Sequence, residues 1–203
     1  QRVPRSVRMS SNPGGGAGAL FWPGTCVGGP RRRPPHTAPK DRMGYLHIPN
    51  LYRPEAQTIL LFRECFALEK IHGTSAHVHW PGFAPLRLFS GGEKPERFAA
   101  LFNGEFAPAI DALTKAFQEH FASTSATVFG EAYGGKCQGM GKTYGPHLRF
   151  VAFDLKENDS WLPVEAAASI VGNLGLPFVP FTRVSTDLPA LDAERDRPRD
   201  ARR

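Results

Sequence analysis

From Thr58 onward the chain gathers its apolar residues into short runs, "TILLF", "CFALEKI", "SAHVHW" and "LRLFS", the last closed by the turn residues "GGEK". Runs of this length, rich in β-branched and aromatic residues and bounded by turn signals, predict strands, and their close spacing predicts antiparallel neighbours. From Pro95 to about Phe121 the period changes. Phe98, Leu101, Phe102, Phe106, Ile110, Leu113 and Phe117 recur at three- and four-residue intervals, which predicts helix, with Gly104 and Pro108 breaking it in two. Two more strand-like segments, "ATVFGEAYG" and "RFVAFDL", flank a Gly-rich polar loop. A short helix is expected from Pro163 to about Leu174, stopped by Gly175 and followed by "LPFVPF". Strands dominate the first half, helices are inserted between them, and no βαβ alternation occurs. The fold class is therefore α+β, with mainly antiparallel sheet.

The two ends break this pattern. Residues 1–42 hold seven Gly and seven Pro with no period of 2 or 3.6, so they are expected to be a disordered basic segment. Organised sequence begins at "MGYLHIPNLY", which makes Met43 a candidate start of the folded module, expected to span 43–183. Residues 184–203, ending "DAERDRPRDARR", lack a core face and are expected to be a charged tail.

The length of 203 residues and a hydrophobic content of 41% suit a single domain with extra ends. The net charge of +6 suggests a nucleic-acid binder until it is divided along the chain: residues 1–42 carry eight cations against Asp41, leaving −1 for the remaining 161 residues. The basicity thus belongs to the N-terminal segment, where "PRRRPP" reads as a solvated tail, and does not describe a groove in the folded part. Cys26, Cys65 and Cys137 are odd in number and without paired spacing, which fits a reducing compartment, with the cytoplasm as the default. No run approaches the roughly 20 apolar residues of a membrane span, so no membrane partner is expected.

Three stretches are candidates for chemistry. His77 and His79 alternate on one face of a predicted strand, but two ligands without a nearby Cys, Asp or Glu cluster do not make a metal site, and they read as half-exposed strand residues. "GGKCQGMGKTYG", residues 134–145, offers Gly141, Lys142 and Thr143 as in a phosphate loop. The spacing fails, because the earlier glycine should stand at 136, which is Lys136, and no helix is expected after it. A polar loop whose lysines can meet phosphates is the reading that remains. Lys70 differs from both: it ends an apolar strand and is followed by His72 and Gly73. An amine with an unperturbed pKa of about 10.4 becomes nucleophilic near neutral pH when burial or nearby positive charge favours its neutral form, and a glycine gives a ligand room beside the backbone. Taken alone, Lys70 reads better as a strand-edge lysine reaching solvent.

In context, "EKIHGTS" resembles the nucleotidyl-acceptor motif K-x-[DH]-G of the covalent nucleotidyltransferases, the superfamily of ATP-dependent DNA and RNA ligases and capping enzymes. The His-Gly-Thr that follows is similar to the RNA-ligase branch related to phage T4 RNA ligase 2. "FGEAYG", residues 129–134, resembles the family's third motif, and "FVAFDL", residues 150–155, the aromatic-acid motif after it, in the family's order. The resemblance covers about Met43 to Arg199. It implies a nucleotidyltransferase domain of the ligase adenylation type, similar to an ATP-grasp arrangement, with ATP and Mg²⁺ as cofactors and RNA ends, a 5′-phosphate and a 3′-hydroxyl, as partners.

The resemblance also implies roles for particular residues. Lys70 would attack the α-phosphate of ATP, expel pyrophosphate and carry AMP to a 5′-phosphate end, which a 3′-hydroxyl then attacks to seal the strand. His72 would orient phosphate or leaving pyrophosphate. Glu131 would bind the ribose hydroxyls or help to hold the metal, and Phe153 would stack on adenine. Glu69, Gly73 and Ser75 would flank the nucleotide. The sequence departs from the family at three places: Ser90 stands where relatives carry an arginine, no Glu-Gly pair follows Phe153, and no lysine follows Lys156. The expectation is thus a domain incomplete before the fourth and fifth motifs, with impaired activity. The alternatives are a noncatalytic nucleotide- or RNA-end-binding remnant of the fold, and a DNA ligase or capping-type enzyme.

Overall fold

The computed structural model describes residues 44–197, and the segment expected to be disordered, 1–42, lies outside them. Seven strands and five α-helices follow one another: β1 (Glu64–Leu68), β2 (Thr74–Trp80), β3 (Arg87–Ser90), α1 (Pro95–Ala99), α2 (Ile110–Phe121), β4 (Ala126–Gly134), α3 (Gly141–Tyr144), β5 (Leu148–Glu157), β6 (Ser160–Trp161), α4 (Val164–Asn173), β7 (Phe181–Ser185) and α5 (Leu188–Asp196). Strands β3-β2-β4-β5-β6 form one antiparallel sheet, and β1 and β7 pair antiparallel in a second. The expected α+β class with antiparallel sheets and inserted helices is what the chain adopts. No helix among the described residues is long and apolar enough to cross a membrane.

The five-stranded sheet has two chemically different faces because successive side chains on a strand point to opposite sides. Ala76, Val78 and Trp80 of β2, Ala126, Val128 and Ala132 of β4, and Phe150, Ala152 and Leu155 of β5 share one core with residues from the helices. Helix α2 contributes Leu113, Phe117 and Phe121 at spacings of four residues, the stripe its periodicity predicts, while α4 adds Ala167 and Val171. Phe98 of α1 meets Phe102 and Phe150 edge to face, at centroid distances of 5.5 and 5.8 Å. The opposite face carries Ser75, His77, His79, Phe129, Glu131 and Tyr133, in register on β2 and β4.

Two expectations fail at the periphery, for one shared reason. "TILLF" is not a strand: a 3₁₀ helix runs over Pro54–Leu61, started by Pro54, whose fixed φ suits a first helical turn, and it buries only Ile59. Residues 184–197 are not an unstructured tail. β7 continues to Ser185, and Asp187 caps α5 by accepting a hydrogen bond from the Ala190 N–H at 2.9 Å. Leu191 of α5, 1% exposed, packs with Ile59 and Cys65. Each of these segments is too polar to bury a face of its own, and they order by sharing a small apolar cluster with β1.

Phe117 is fully buried between α2 and the sheet. Phe117→Ala is expected to lower the unfolding free energy by about 3–5 kcal/mol, read as a lower urea midpoint at unchanged slope.

Candidate functional site

The turn between β1 and β2, residues 69–73, carries Lys70 against the middle of β4. Its entry is set by the Glu69 N–H, which donates to the Pro180 carbonyl at 2.9 Å just before β7. Its exit is set by Gly73, whose N–H donates to Oε1 of Glu131 at 3.1 Å. A Cβ at position 73 would lie 2.1 Å from the Ala132 carbonyl oxygen, so only glycine lets the turn come this close to β4. Between these two anchors, the His72 N–H donates to the Tyr144 hydroxyl at 3.2 Å. Lys70 itself is exposed at the surface of the turn.

Glu131 is half-buried on the polar face of β4, directly across from Ser75 of β2. Burial raises its carboxyl pKa above the ordinary value, while the Lys70 ammonium and the Gly73 N–H both pull it down. The Gly73 N–H is a backbone donor to this carboxylate, and Ser75 stands exposed beside it.

Phe153 reaches the same region through an irregularity in β5. Phe129 pairs with Asp154 but Gly130 pairs with Ala152, so Phe153 is the extra residue of a β-bulge. Gly130 is required there, since a Cβ would lie 2.3 Å from the Val151 carbonyl oxygen. At the bulge, Ala152 turns its backbone to residues 177–179, donating to the Pro177 carbonyl and accepting from the Val179 N–H, both at 2.8 Å. Phe153 then packs, half-buried, in a cluster with Leu68, Val151 and Val179 that also includes Ile71 and Tyr133. The ring is thus fastened to the residue that follows Lys70.

Glu69, Lys70, His72 and Gly73 thus share one turn, Gly73 meets Glu131 across from Ser75, and Phe153 packs in the cluster that includes Ile71 of the same turn. Sequence reasoning missed three contributors. Tyr133 could have been found, because it stands two residues after Glu131 on the same strand and so shares its face. Tyr144, which meets Tyr133 edge to face at 5.3 Å, and the segment 177–180 carry no local signal, because their roles come from long-range backbone contacts.

His77 and His79 depart from expectation: they are buried, at 6% and 8% exposure. His77 lies stacked on Phe89 at 4.8 Å and tilted against Phe129 at 5.7 Å, and His79 shares a hydrogen bond with the Thr127 hydroxyl at 2.9 Å. Among the described residues no three His, Cys, Asp or Glu side chains come together as a metal set. Cys65 and Cys137 are buried free thiols.

With this geometry, the class of the chain is an α+β fold with a lysine-bearing turn seated on an antiparallel sheet, and comparison with solved structures gives that fold its relatives. The chain resembles an archaeal ATP-dependent RNA ligase, form 1, at 23% identity and a TM-score of 0.50, over 67% of this chain and 36% of that one. Form 2 of an archaeal ATP-dependent RNA ligase matches at 22% identity and a TM-score of 0.46, over 64% of this chain and 34% of that one. A mutant Naegleria gruberi RNA ligase with ATP and Mn matches at 17% identity and a TM-score of 0.46, over 62% and 38%. This chain spans little more than a third of the length of those structures. No protein-family model matches it, and no curated protein matches it by sequence. The shared property is the fold, which is that of part of an ATP-dependent RNA ligase.

Burial, followed by the neighbouring His79, lowers the His77 pKa from 6.5 to about 4. His77 is then neutral in the folded protein between those values while the unfolded chain takes up a proton. Its contribution is complete above pH 6.5 and is lost as the pH falls toward 4, by at most about 3 kcal/mol. Urea unfolding at a series of pH values is expected to show this loss, and His77→Phe, which keeps the stacking, is expected to flatten that part of the profile.

Proposed function

We propose that this chain is the nucleotide-binding part of an ATP-dependent RNA ligase of the covalent nucleotidyltransferase superfamily, with Lys70 as the residue that takes AMP. The observation that carries the proposal is the close approach of the lysine-bearing turn to the half-buried Glu131, where the Gly73 N–H donates to the carboxylate and only glycine fits against β4. A cation, a retained carboxylate and an aromatic ring on one sheet face match the three parts of a nucleotide: phosphate, ribose and base. The resemblance of "EKIHGTS" to the branch related to phage T4 RNA ligase 2 supports the finer assignment.

In the reaction, the neutral Lys70 amine attacks the α-phosphorus of ATP. A P–N bond forms, the bond to the pyrophosphate oxygen breaks, and the amine gives up its proton. Glu131, whose carboxylate accepts from the Gly73 N–H, is the partner of the ribose hydroxyls. Phe153, fixed at the bulge, supplies a flat surface for adenine. His72, whose N–H is tied to Tyr144, keeps its side chain free to orient phosphate or the leaving pyrophosphate. Ser75 and Glu69 border the nucleotide on either side of the turn, and Gly73 leaves room for it. The adenylate then passes to a 5′-phosphate RNA end, and a 3′-hydroxyl displaces AMP. ATP is the nucleotide these residues suit. Mg²⁺ is the metal the resemblance implies, and Glu131 is the residue that would help to hold it.

Incubation of the chain with α-labelled ATP and Mg²⁺, followed by denaturing electrophoresis, is expected to leave label on the protein. Lys70→Ala is expected to abolish it. Glu131→Gln removes a charge-assisted partner and is expected to slow labelling by about ten- to hundredfold. ATP binding without covalent label would replace the enzyme with a noncatalytic nucleotide-binding protein, and a preference for GTP or for DNA ends would replace RNA ligase with a capping-type enzyme or a DNA ligase.

A further inference from the structure

The loop between β4 and β5 is the one whose Gly-Lys-Thr fails the spacing of a phosphate loop, and its charge remains unexplained. From Ala132 to Phe153 the chain contains no acidic residue, yet it carries Lys136, Lys142, His147 and Arg149. All four side chains are exposed. Several cations elsewhere are engaged by carboxylates, Arg97 with Glu93, Lys115 with Glu119, Lys156 with Asp159, and Arg183 with Glu64 and Glu165, while isolated ones such as Arg53 and Arg87 are not among the described residues; what sets the loop apart is a run of cations with no acidic residue among them. Lys136, Lys142 and Arg149 form no such pair among the described residues. The fold does not consume these charges, so they are available to a ligand.

Arg149 and Lys142 stand on elements that border the site. Arg149 is the cross-strand partner of Tyr133, and direct partners project to the same side, so Arg149 shares the sheet face of Glu131. Lys142 is in α3, the short helix whose Tyr144 hydroxyl accepts from His72 N–H. At the far end His147 stacks on Phe106 at 5.0 Å with the rings 25° apart, and Phe106 is 37% exposed. A row of cations with a stacked aromatic pair beside it suits a single nucleic-acid strand, whose phosphates need neutralising and whose bases need flat surfaces.

We propose that the β4–β5 hairpin binds the sugar–phosphate backbone of a single RNA strand and leads its end toward Lys70. The proposal rests on the ligase reading for the identity of the strand, while the binding surface itself rests on the unpaired cations. It commits to RNA rather than to an acidic protein because the stacked pair His147–Phe106 adds a surface for bases.

The test is fluorescence anisotropy of a labelled, 5′-phosphorylated single-stranded RNA binding to the full chain over a salt series. Each phosphate neutralised on a single strand contributes about −0.7 to the slope of log affinity against log salt. Lys136→Ala/Lys142→Ala/Arg149→Ala is expected to flatten that slope by about 2 and to weaken binding at least tenfold. Lys115→Ala, a paired cation on α2, is expected to change neither. The charge-preserving Lys136→Arg/Lys142→Arg/Arg149→Lys is expected to restore the slope. Because Arg31, Arg32 and Arg33 also carry charge, the difference between variants is the readout. An unchanged slope and affinity in the triple alanine variant would overturn the proposal, as would an equal loss in Lys115→Ala. Labelling of Lys70 by ATP without RNA is measured in parallel. Failed labelling with variant-sensitive RNA binding removes the ligase reading and leaves the surface, whereas labelling with variant-insensitive binding removes the surface alone.

Discussion

The candidate site depends on how closely one turn approaches one strand. Gly73 sits where a Cβ would collide with the Ala132 carbonyl, and that closeness brings its N–H onto the Glu131 carboxylate. Were the turn displaced outward by the width of a methyl group, Glu131 would keep its burial and lose its donor. A buried carboxylate without partners is costly, and it relieves that cost by taking up a proton. The approach of the turn to β4 and the donor on Glu131 therefore have a common origin in the geometry of a single peptide.

The rest of the architecture keeps that approach in place. Helices α1, α2 and α4 cover one face of the sheet with apolar side chains, which leaves the other face for polar groups. The bulge in β5 breaks the ladder at Phe153 and passes its backbone bonds to residues 177–179, and the Pro180 carbonyl takes the Glu69 N–H. The segment leading into β7 is thereby tied to β5 at residues 177 and 179 and to the lysine-bearing turn at Pro180. Irregular backbone at such a junction is stable only because each displaced donor finds another acceptor. Buried histidines on the same face illustrate the local solvent exclusion: His77 between two phenylalanines stays neutral well below its ordinary titration range.

Much of this was legible in the sequence, and in a graded way. The strands from Glu64 to Ser90, the broken helical stretch and the paired strands β4 and β5 follow from periodicity, because each buries a face at the period its backbone imposes. The motif residues Lys70, His72, Gly73, Glu131 and Phe153 are singled out by the resemblance of three ordered motifs to a known family. The 3₁₀ helix at Pro54–Leu61 and the helix after Asp187 could not, since their apolar residues are too few to show a period and become a core only by meeting each other.

The sequence by itself determined the α+β class, the two-faced sheet and the lysine-glycine turn, because these rest on local conformational preference and on alternation along single strands. Tertiary structure alone decided that Glu131 meets Gly73 across 58 residues, that Tyr144 meets the backbone of His72 across 72, and that Arg149 lies on the site's side of the sheet. Those contacts depend on strand register and on one bulge. Register is set by the sum of many weak side-chain fits across the sheet, a quantity that no single stretch of chain contains.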